Sequence, residues 1–510
     1  MTDEAPSGDP GTPLVELLAR AGALESAAPS EHIVTHAAVI VLSGDRAWKM
    51  KRPVTYRYLD FAGVDQRRNA LTAEYRLNRR TAPDLYRGVH AITRTADGVE
   101  LDGPGETVDY VLEMARFPAD ALCARYADDG LLDDALLSAL ADQVVQLHAQ
   151  AEVSADTAGA ARLLDVIDGN LGSMSRYPKI LDPVRAADLT ERLRALIARH
   201  ADRLDARARA GRVRRGHGDL HLQNIVVLDD VPVPFDCLEF DPELATTDVL
   251  YDLAFLVMDL WQRGRTCEAN QIVNAYLDAS PDDEDGYPLL PLMLSVRATV
   301  RAHVSAAAGQ VDRARGHLDL ALAVIDPAGP HTVAIGGASG TGKSTVARAV
   351  ADRVGAAPGA RVLRSDVLRK RLAGVPVLQS LPAAGYTRAA SARVYAELER
   401  LAAQNLAGGM SVIGDAVYGR AAERAGLRRV ADAANATFTG FWLHLSQEER
   451  IARIAGRGPD ASDADARVAR AQTRALDDPG EDWIAVDAAG DPLAEIRERL
   501  RERCGPAEQS

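Results

Sequence analysis

The stretch Gly337-Ala338-Ser339-Gly340-Thr341-Gly342-Lys343-Ser344 has the residue types and spacing to hold a phosphate chain. It fits G-x-x-x-x-G-K-[ST], in which glycines let backbone N–H groups turn toward an anion with no Cβ in the way. Lys343 is placed to neutralise β- and γ-phosphates, and the Ser344 hydroxyl to take a Mg2+ position. The apolar run Thr332-Val333-Ala334-Ile335 before it reads as a buried strand. Thr345 to Val350 after it reads as a helix whose positive end faces the same anion. Gly337, Gly340, Thr341, Gly342, Lys343, Ser344 and Thr345 are the expected nucleotide contacts.

A second polar set lies upstream. Asp219 and Asn224 stand five apart within Arg215-Gly216-His217-Gly218-Asp219-Leu220-His221-Leu222-Gln223-Asn224, a loop-like stretch just before a strand. Asp236 closes the next strand, and Glu239 and Asp241 follow. His217 and His221 would share a face on a helix, but Gly218 argues against one. No further His or Cys is near, so the pair does not specify a transition-metal site. Lys49 and Lys51 lie two apart in a strand-like run and so face one side. The only lysines are Lys49, Lys51, Lys179, Lys343 and Lys370, against a large excess of arginine, so a lysine inside a motif carries information. Glu74 sits in a helical run, Arg67 to Arg80, from which it can reach one of the two strand lysines.

These groups need elements to position them. Ala37 to Leu42 and Arg46 to Lys51, joined at Ser43-Gly44-Asp45, read as a hairpin. Val108 to Met114 reads as a strand; Leu131 to Glu152 and Asp182 to Arg209 read as helices. Helices continue from Ala254 to about Ile325, and Asp326-Pro327-Ala328-Gly329-Pro330 punctuates them. That linker is short, so the two modules are expected to pack or stay closely tethered. Beyond it, Ala360 to Asp366 reads as a strand ending in an acid and Ser411 to Asp415 as another. Phe438 to Leu445 and Trp483 to Asp487 add two more. Alternating strands and helices predict a parallel sheet with helices on both faces. Acids at the carboxyl ends of its strands sit where such sheets bind ligands. Arg420 and Arg424 share a helix face, turned to a substrate or to solvent. Gln447 to Arg453 opens a helix, and Arg457 to Asp463 reads as a mobile lid.

A length of 510 residues fits two to four domains. The net charge of −14 argues against nucleic acid as a partner. Cys123, Cys237, Cys267 and Cys504 are scattered, as expected of reduced thiols in a cytoplasm. The start Met1-Thr2-Asp3-Glu4 has the wrong charge for a signal peptide. The longest apolar run, around Leu253 to Met258, is too short to span a bilayer, so no membrane partner is expected.

The order His217-x-Asp219-x-x-x-x-Asn224, followed by Asp236 after a short hairpin, resembles the catalytic loop and metal-binding Asp of the aminoglycoside phosphotransferase family. That family shares the bilobal protein-kinase-like fold. The resemblance implies that Asp219 is the base or acceptor-positioning residue and that Asn224 and Asp236 are Mg2+ ligands. It implies Lys49, with Lys51 as rival, on the nucleotide phosphates and Glu74 orienting that lysine. Glu113, Met114 and the residues to Phe117 would form the hinge that holds adenine, and Asp252 resembles the buried Asp that braces the catalytic loop. The chemistry suits the spacing, because phosphoryl transfer needs a carboxylate beside the acceptor hydroxyl and hard oxygen ligands on Mg2+. Two features depart from the family pattern. No G-x-G-x-x-G precedes Lys49, and Asp236 is followed by Cys237-Leu238-Glu239 rather than Phe-Gly.

Asp366-x-x-Arg369 resembles small P-loop kinases of the gluconate-kinase-like and polynucleotide-kinase-like groups. It implies that Asp366 accepts the acceptor hydroxyl's proton and Arg369 holds the acceptor. Asp415 would lie near the metal or the acceptor. Arg453 and Arg457 are placed like lid arginines that stabilise charge on the transferring phosphoryl group. The whole chain resembles a bacterial fusion of these two kinds of kinase. The expected layout is an extension over 1–30, an aminoglycoside-phosphotransferase-like domain over 31–325 with lobes 31–116 and 117–325, and a P-loop kinase domain over 331–503. The expected fold class is α/β and α+β in two domains. The implied activity is bifunctional, each half moving the γ-phosphate of ATP, with Mg2+, to a hydroxyl of a small molecule. The missing glycine-rich cover supports an alternative. In it the first half is a nucleotide-binding regulatory module, and only the P-loop half is a kinase, for small molecules or nucleic-acid ends.

Overall fold

The computed structural model describes residues 12–24, 31–35, 37–56, 59–96, 98–458, 460–477, 479–480 and 482–504. The chain divides into two compact units, Met1–Thr157 with Ala208–Leu256, and Ala158–Arg207 with Val257–Ser510. Most of the expected extension over 1–30, and His36 and Pro459, lie outside the described residues. Among the described residues no helix is long and apolar enough to cross a membrane.

The first unit is built on a six-stranded antiparallel sheet. Its order is Glu31–Val34, Ala38–Ser43, Arg46–Lys51, Glu106–Ala115, Tyr86–Thr95, Gly98–Leu101. The hairpin expected around Ser43-Gly44-Asp45 forms, with Ile40 opposite Lys49. Alternation then sorts the strand Arg46–Lys51 into two faces. Trp48 and Met50 pack with Leu14 and Leu18 of the helix Thr12–Arg20, so this early helix is part of the unit's core. Ala47 packs on the other face with Leu71 of the helix Val64–Asn78. Lys49 and Lys51 share that face, and both are buried.

The loop that carries Asp219 is held at both ends. Before it, Val213–Arg215 pairs with Thr246–Asp248. After it, one turn over Leu222–Asn224 leads into the hairpin Ile225–Leu228 and Val231–Pro234. Asp229 and Asp230 join that hairpin at φ 48° and 63°, the two-residue mirror turn that matches strand twist. The hairpin fixes Asn224 at its entrance and Asp236 two residues past its exit.

The second unit contains a five-stranded parallel sheet. Its order is Arg361–Arg364, Val412–Asp415, His331–Gly337, Thr437–His444, Trp483–Asp487. Val333 and Ile335 pack with Val346 and Val350 on one face, and Ala334 packs with Leu363 and Leu398 on the other. Burial on both faces is why these strands read as continuous apolar runs. The strand expected to end at Asp366 stops at Arg364, and Asp366 lies in the first turn of the helix Ser365–Ala373.

The compact division does not follow the punctuation at Asp326–Pro330. The helices Thr266–Ala279, Leu290–Ala307 and Val311–Ala323 share a unit with the parallel sheet. A buried polar network joins the first of them, and the segment Pro281–Leu289 after it, to the sheet. Arg361, fully buried at the start of its strand, meets Glu284 at 3.0 Å and Asp278 at 2.7 Å. Its Nη1 donates to Asn274 Oδ1 at 2.9 Å, and the Tyr287 hydroxyl donates to the Gly359 carbonyl at 2.6 Å. Burial pushes the Glu284 carboxyl up, but the adjacent Arg361 guanidinium more than offsets this and holds it below its ordinary value.

Candidate active sites

In the first unit three elements converge on one lysine. Lys49 Nζ lies 2.7 Å from Glu74 Oε1 and 2.7 Å from Asp236 Oδ1. The strand supplies the ammonium, the helix Val64–Asn78 supplies Glu74, and the loop after the hairpin supplies Asp236. Burial pushes Lys49 down, but Asp236 and Glu74 reverse that and hold it above the ordinary lysine range. Asp236 is pushed up by burial and pulled below its ordinary value by Lys49. Both groups are therefore charged at neutral pH. The rival, Lys51, is engaged elsewhere, 2.7 Å from Glu74 Oε2 and 2.6 Å from Glu239 Oε1.

Asn224 and Asp219 come together. Asn224 Nδ2 donates to Asp219 Oδ2 and to the Asp219 carbonyl, both at 3.0 Å. The Phe235 amide donates to the Asn224 carbonyl at 2.9 Å, which places Asn224 beside the segment that carries Asp236. Asp236 adopts φ 62°, unusual for a non-glycine residue, and its amide donates to the Tyr86 hydroxyl at 3.1 Å. Asp252 accepts the amides of His217 at 2.7 Å and Gly218 at 2.9 Å, the bracing geometry the family resemblance implies. His217 Nε2 lies 2.9 Å from the Phe235 carbonyl and thereby ties the loop to the hairpin, a structural place for this imidazole.

Of the hinge residues, Met114 is buried in a cluster with Ala47, Tyr86 and Val226, packed by Phe117 and Phe235. Phe117 and Phe235 meet edge to face at 5.2 Å. Glu113 points the other way. Its carboxylate lies 3.4 Å from Arg87, 3.5 Å from Arg46 and 3.1 Å from His90, so the structure does not bring it to Lys49. Alternation along a strand is the reason, since neighbours 113 and 114 face opposite sides.

In the second unit the phosphate loop leaves the central strand at Gly337 and enters the helix Lys343–Val350. Gly337, Gly340 and Gly342 take φ 134°, 87° and 93°, conformations that L side chains rarely adopt. A Cβ at Gly340 would stand 2.7 Å from the Arg450 carbonyl oxygen. Thr341 Oγ1 and Lys343 Nζ both donate to the Ala338 carbonyl, at 2.9 and 3.0 Å, so the loop closes on its own lysine. Ser344 Oγ donates to Asp415 Oδ2 at 2.5 Å. Burial pushes Lys343 below its ordinary value against the pull of Asp415 and Asp366. Burial raises the Asp366 carboxyl.

A cavity of about 920 Å³ opens over this loop. Its lining includes Lys343, Ser344, Thr345, Asp366, Asp415, Arg453 and Arg457, so the predicted P-loop site residues gather around one space. Arg453 donates to the Thr341 carbonyl at 3.3 Å and the Ala488 carbonyl at 2.8 Å, which pins it beside the loop. Arg457 donates at 2.8 Å to the Ser462 carbonyl, within its own lid segment. Arg420 also lines the cavity. Arg424 does neither of the things expected of it: it is buried and donates to the Tyr418 carbonyl at 2.9 Å.

Several site groups were not singled out from the sequence. Glu239 carries no signal in the sequence beyond its place three residues after Asp236. Arg364 bridges Asp415, at 3.5 Å, and Asp460, at 2.9 Å. Lys370, almost fully buried, meets Asp463 at 2.6 Å, and the Tyr386 hydroxyl donates to the same carboxylate. The scarcity of lysine was the one available signal for Lys370. A buried Arg or Lys needs a carboxylate, but the distance along the chain hides which one.

Residues 74–289 match the family model of the phosphotransferase enzyme family, and residues 333–479 match an AAA domain model. Uncharacterized proteins of Mycobacterium tuberculosis and Mycobacterium bovis are each 31% identical over 459 residues, covering 86% of this chain and 88% of their own. Among solved structures, a gluconokinase from Sinorhizobium meliloti is 25% identical over 34% of this chain and 97% of its own, with a TM-score of 0.24. A choline kinase from Cryptosporidium parvum is 11% identical over 61% and 94%, with a TM-score of 0.42.

Proposed function

Since this chain belongs to a family that joins a phosphotransferase-enzyme domain to an AAA-type P-loop kinase domain, it is an ATP-dependent phosphotransferase, and we propose that it works at two sites, one in each compact unit, on hydroxyls of small molecules. The observation that carries the two-site reading is the double contact of Lys49, 2.7 Å from both Glu74 and Asp236, in a unit separate from the phosphate loop.

In the first unit, Lys49 pairs the phosphate tail while Glu74 holds it in place. Asp219 accepts the proton of the acceptor hydroxyl as its oxygen bonds to the γ-phosphorus and the bond to the β-phosphate oxygen breaks. The edge-to-face pair Phe117 and Phe235 packs in one apolar cluster with Met114, an apolar surface suited to adenine. In the second unit the glycine loop and Lys343 hold the phosphates, Asp366 takes the acceptor proton, and Arg453 and Arg457 lie beside the transferring group. Mg2+, held by Asn224 and Asp236 in one site and by Ser344 with Asp415 in the other, would supply charge neutralisation on the β- and γ-phosphate oxygens. The donor sets are hard oxygens, which suit that ion. In the first site the Lys49 ammonium already stands as a cation against Asp236.

The test is ATP consumption against a library of hydroxyl-bearing metabolites, with the full chain and with Asp219→Asn and Asp366→Asn. Each variant should lose one acceptor class and keep the other. Wild-type turnover in both variants would sink the assignment.

A further inference from the structure

The first site holds a second ion pair that the phosphotransfer chemistry does not use. Lys51 Nζ lies 2.6 Å from Glu239 Oε1 and 2.7 Å from Glu74 Oε2, and all three side chains are buried. Glu74 is therefore shared: one oxygen faces Lys49 and the other faces Lys51. The cluster as a whole sets two ammonium groups, Lys49 and Lys51, against three carboxylates, Glu74, Asp236 and Glu239.

We propose that Lys51 and Glu239 are positioning residues that keep Glu74 fixed, and Lys49 available to phosphate, whether or not a nucleotide is bound. The inference rests on the nucleotide reading of this site. Lys49 sits against Asp236 in this structure, so engaging a phosphate tail requires it to turn from that carboxylate. Glu74 must then guide Lys49 without clasping it. A buried carboxylate with a single lysine partner holds that partner tightly, whereas one already neutralised on its other oxygen holds it less. Lys51 supplies that neutralisation, and Glu239 balances Lys51 in turn. The pair also ties the strand Arg46–Lys51 to the loop just past Asp236. That tie matters in a chain with no glycine-rich cover before Lys49 to hold the strand over the phosphates.

Removing Lys51 leaves Glu239 and half of Glu74 as buried negative charge, which draws Lys49 away from phosphate. The loss falls on the phosphate-dependent part of binding and spares the apolar contacts of adenine. The double variant Lys51→Met with Glu239→Gln removes a cation and an anion together, and so recovers part of what Lys51→Met loses.

The experiment measures Mg-ATP and adenosine affinities of the full chain by equilibrium binding, in a Lys343→Ala background that silences the phosphate loop. Lys51→Met should weaken Mg-ATP by at least about ten-fold and leave adenosine within about two-fold, whereas Glu239→Gln, which lowers the negative charge of the cluster, should not reproduce that loss. Lys51→Arg and the double variant should bind Mg-ATP better than Lys51→Met. Unchanged Mg-ATP affinity in Lys51→Met, equal loss of both ligands, or a double variant no better than Lys51→Met would overturn the inference. Lys51→Gln, which removes the same charge but keeps a polar end beside Glu74 and Glu239, carries the test if Lys51→Met does not fold. Lys49→Met separates the two readings. If it leaves Mg-ATP affinity unchanged, the nucleotide reading fails; if it alone abolishes phosphate-dependent binding, only the role of the Lys51–Glu239 pair fails.

Discussion

The Ser344 hydroxyl donates to the Asp415 carboxylate across 2.5 Å, joining the first turn of the helix after the phosphate loop to the end of the neighbouring parallel strand. A hydroxyl and a carboxylate meeting there are hard oxygen donors of the kind Mg2+ takes, and the proposed function has them hold that ion. Ser344→Ala and Asp415→Asn should each raise the Mg2+ concentration needed for half-maximal P-loop activity by about 10–100-fold. Metal titration of ATP turnover in an Asp219→Asn background checks this. An unchanged requirement in both variants would remove these residues from the metal site.

Gly340 combines φ 87° with a backbone oxygen 2.7 Å from where a Cβ would stand. Gly340→Ala should strain the phosphate loop by about 1–3 kcal/mol. The expected reading is lost nucleotide binding at the P-loop, with Asp219-dependent turnover retained.

Burial raises the Asp366 carboxyl above its ordinary value. A proton acceptor works only when ionised, so P-loop transfer should fall as pH drops through that raised value, and recover above it. The pH profile in an Asp219→Asn background reads this. An acid limb no higher than an ordinary carboxylate would contradict the assigned environment.

Glu284 is held below its ordinary value of 4.5 by Arg361. A depressed carboxyl stabilises the fold above its unfolded-state value and loses that contribution as pH falls through the folded-state one. The second unit should therefore lose stability below about pH 4.5, and Glu284→Gln should flatten that slope. Glu284→Ala leaves Arg361 buried with fewer partners and should cost about 3–5 kcal/mol. Denaturant unfolding at pH 7 and pH 4 measures both.

Much of this was legible from residues alone, for reasons that differ by element. The phosphate loop is a local motif: its glycines dictate backbone torsions within eight residues, so the sequence carries nearly all the geometry. Lys49 and Lys51 share a face because strand alternation is local too, but their division of labour was not readable. It depends on Glu239, 188 residues away, and on which lysine lies nearer Asp236. The same distance hid the pairing of Arg361 with Glu284, 77 residues apart, although an arginine heading the apolar strand Arg361-Val362-Leu363 needs a buried countercharge. Asp366 reads as the end of a strand because propensity does not mark where Arg364 leaves the sheet. Arg424 looked like a surface residue because helical periodicity places it with Arg420. Its helix instead turns that guanidinium inward to the Tyr418 carbonyl.

Whether one chain grips two triphosphates is read most directly from binding stoichiometry with a non-hydrolysable ATP analogue and Mg2+. Two molecules should bind per wild-type chain, one each to Lys49→Met and Lys343→Ala, and none to the double variant. A single bound nucleotide in the wild type, or a count that Lys49→Met leaves unaltered, would contradict it.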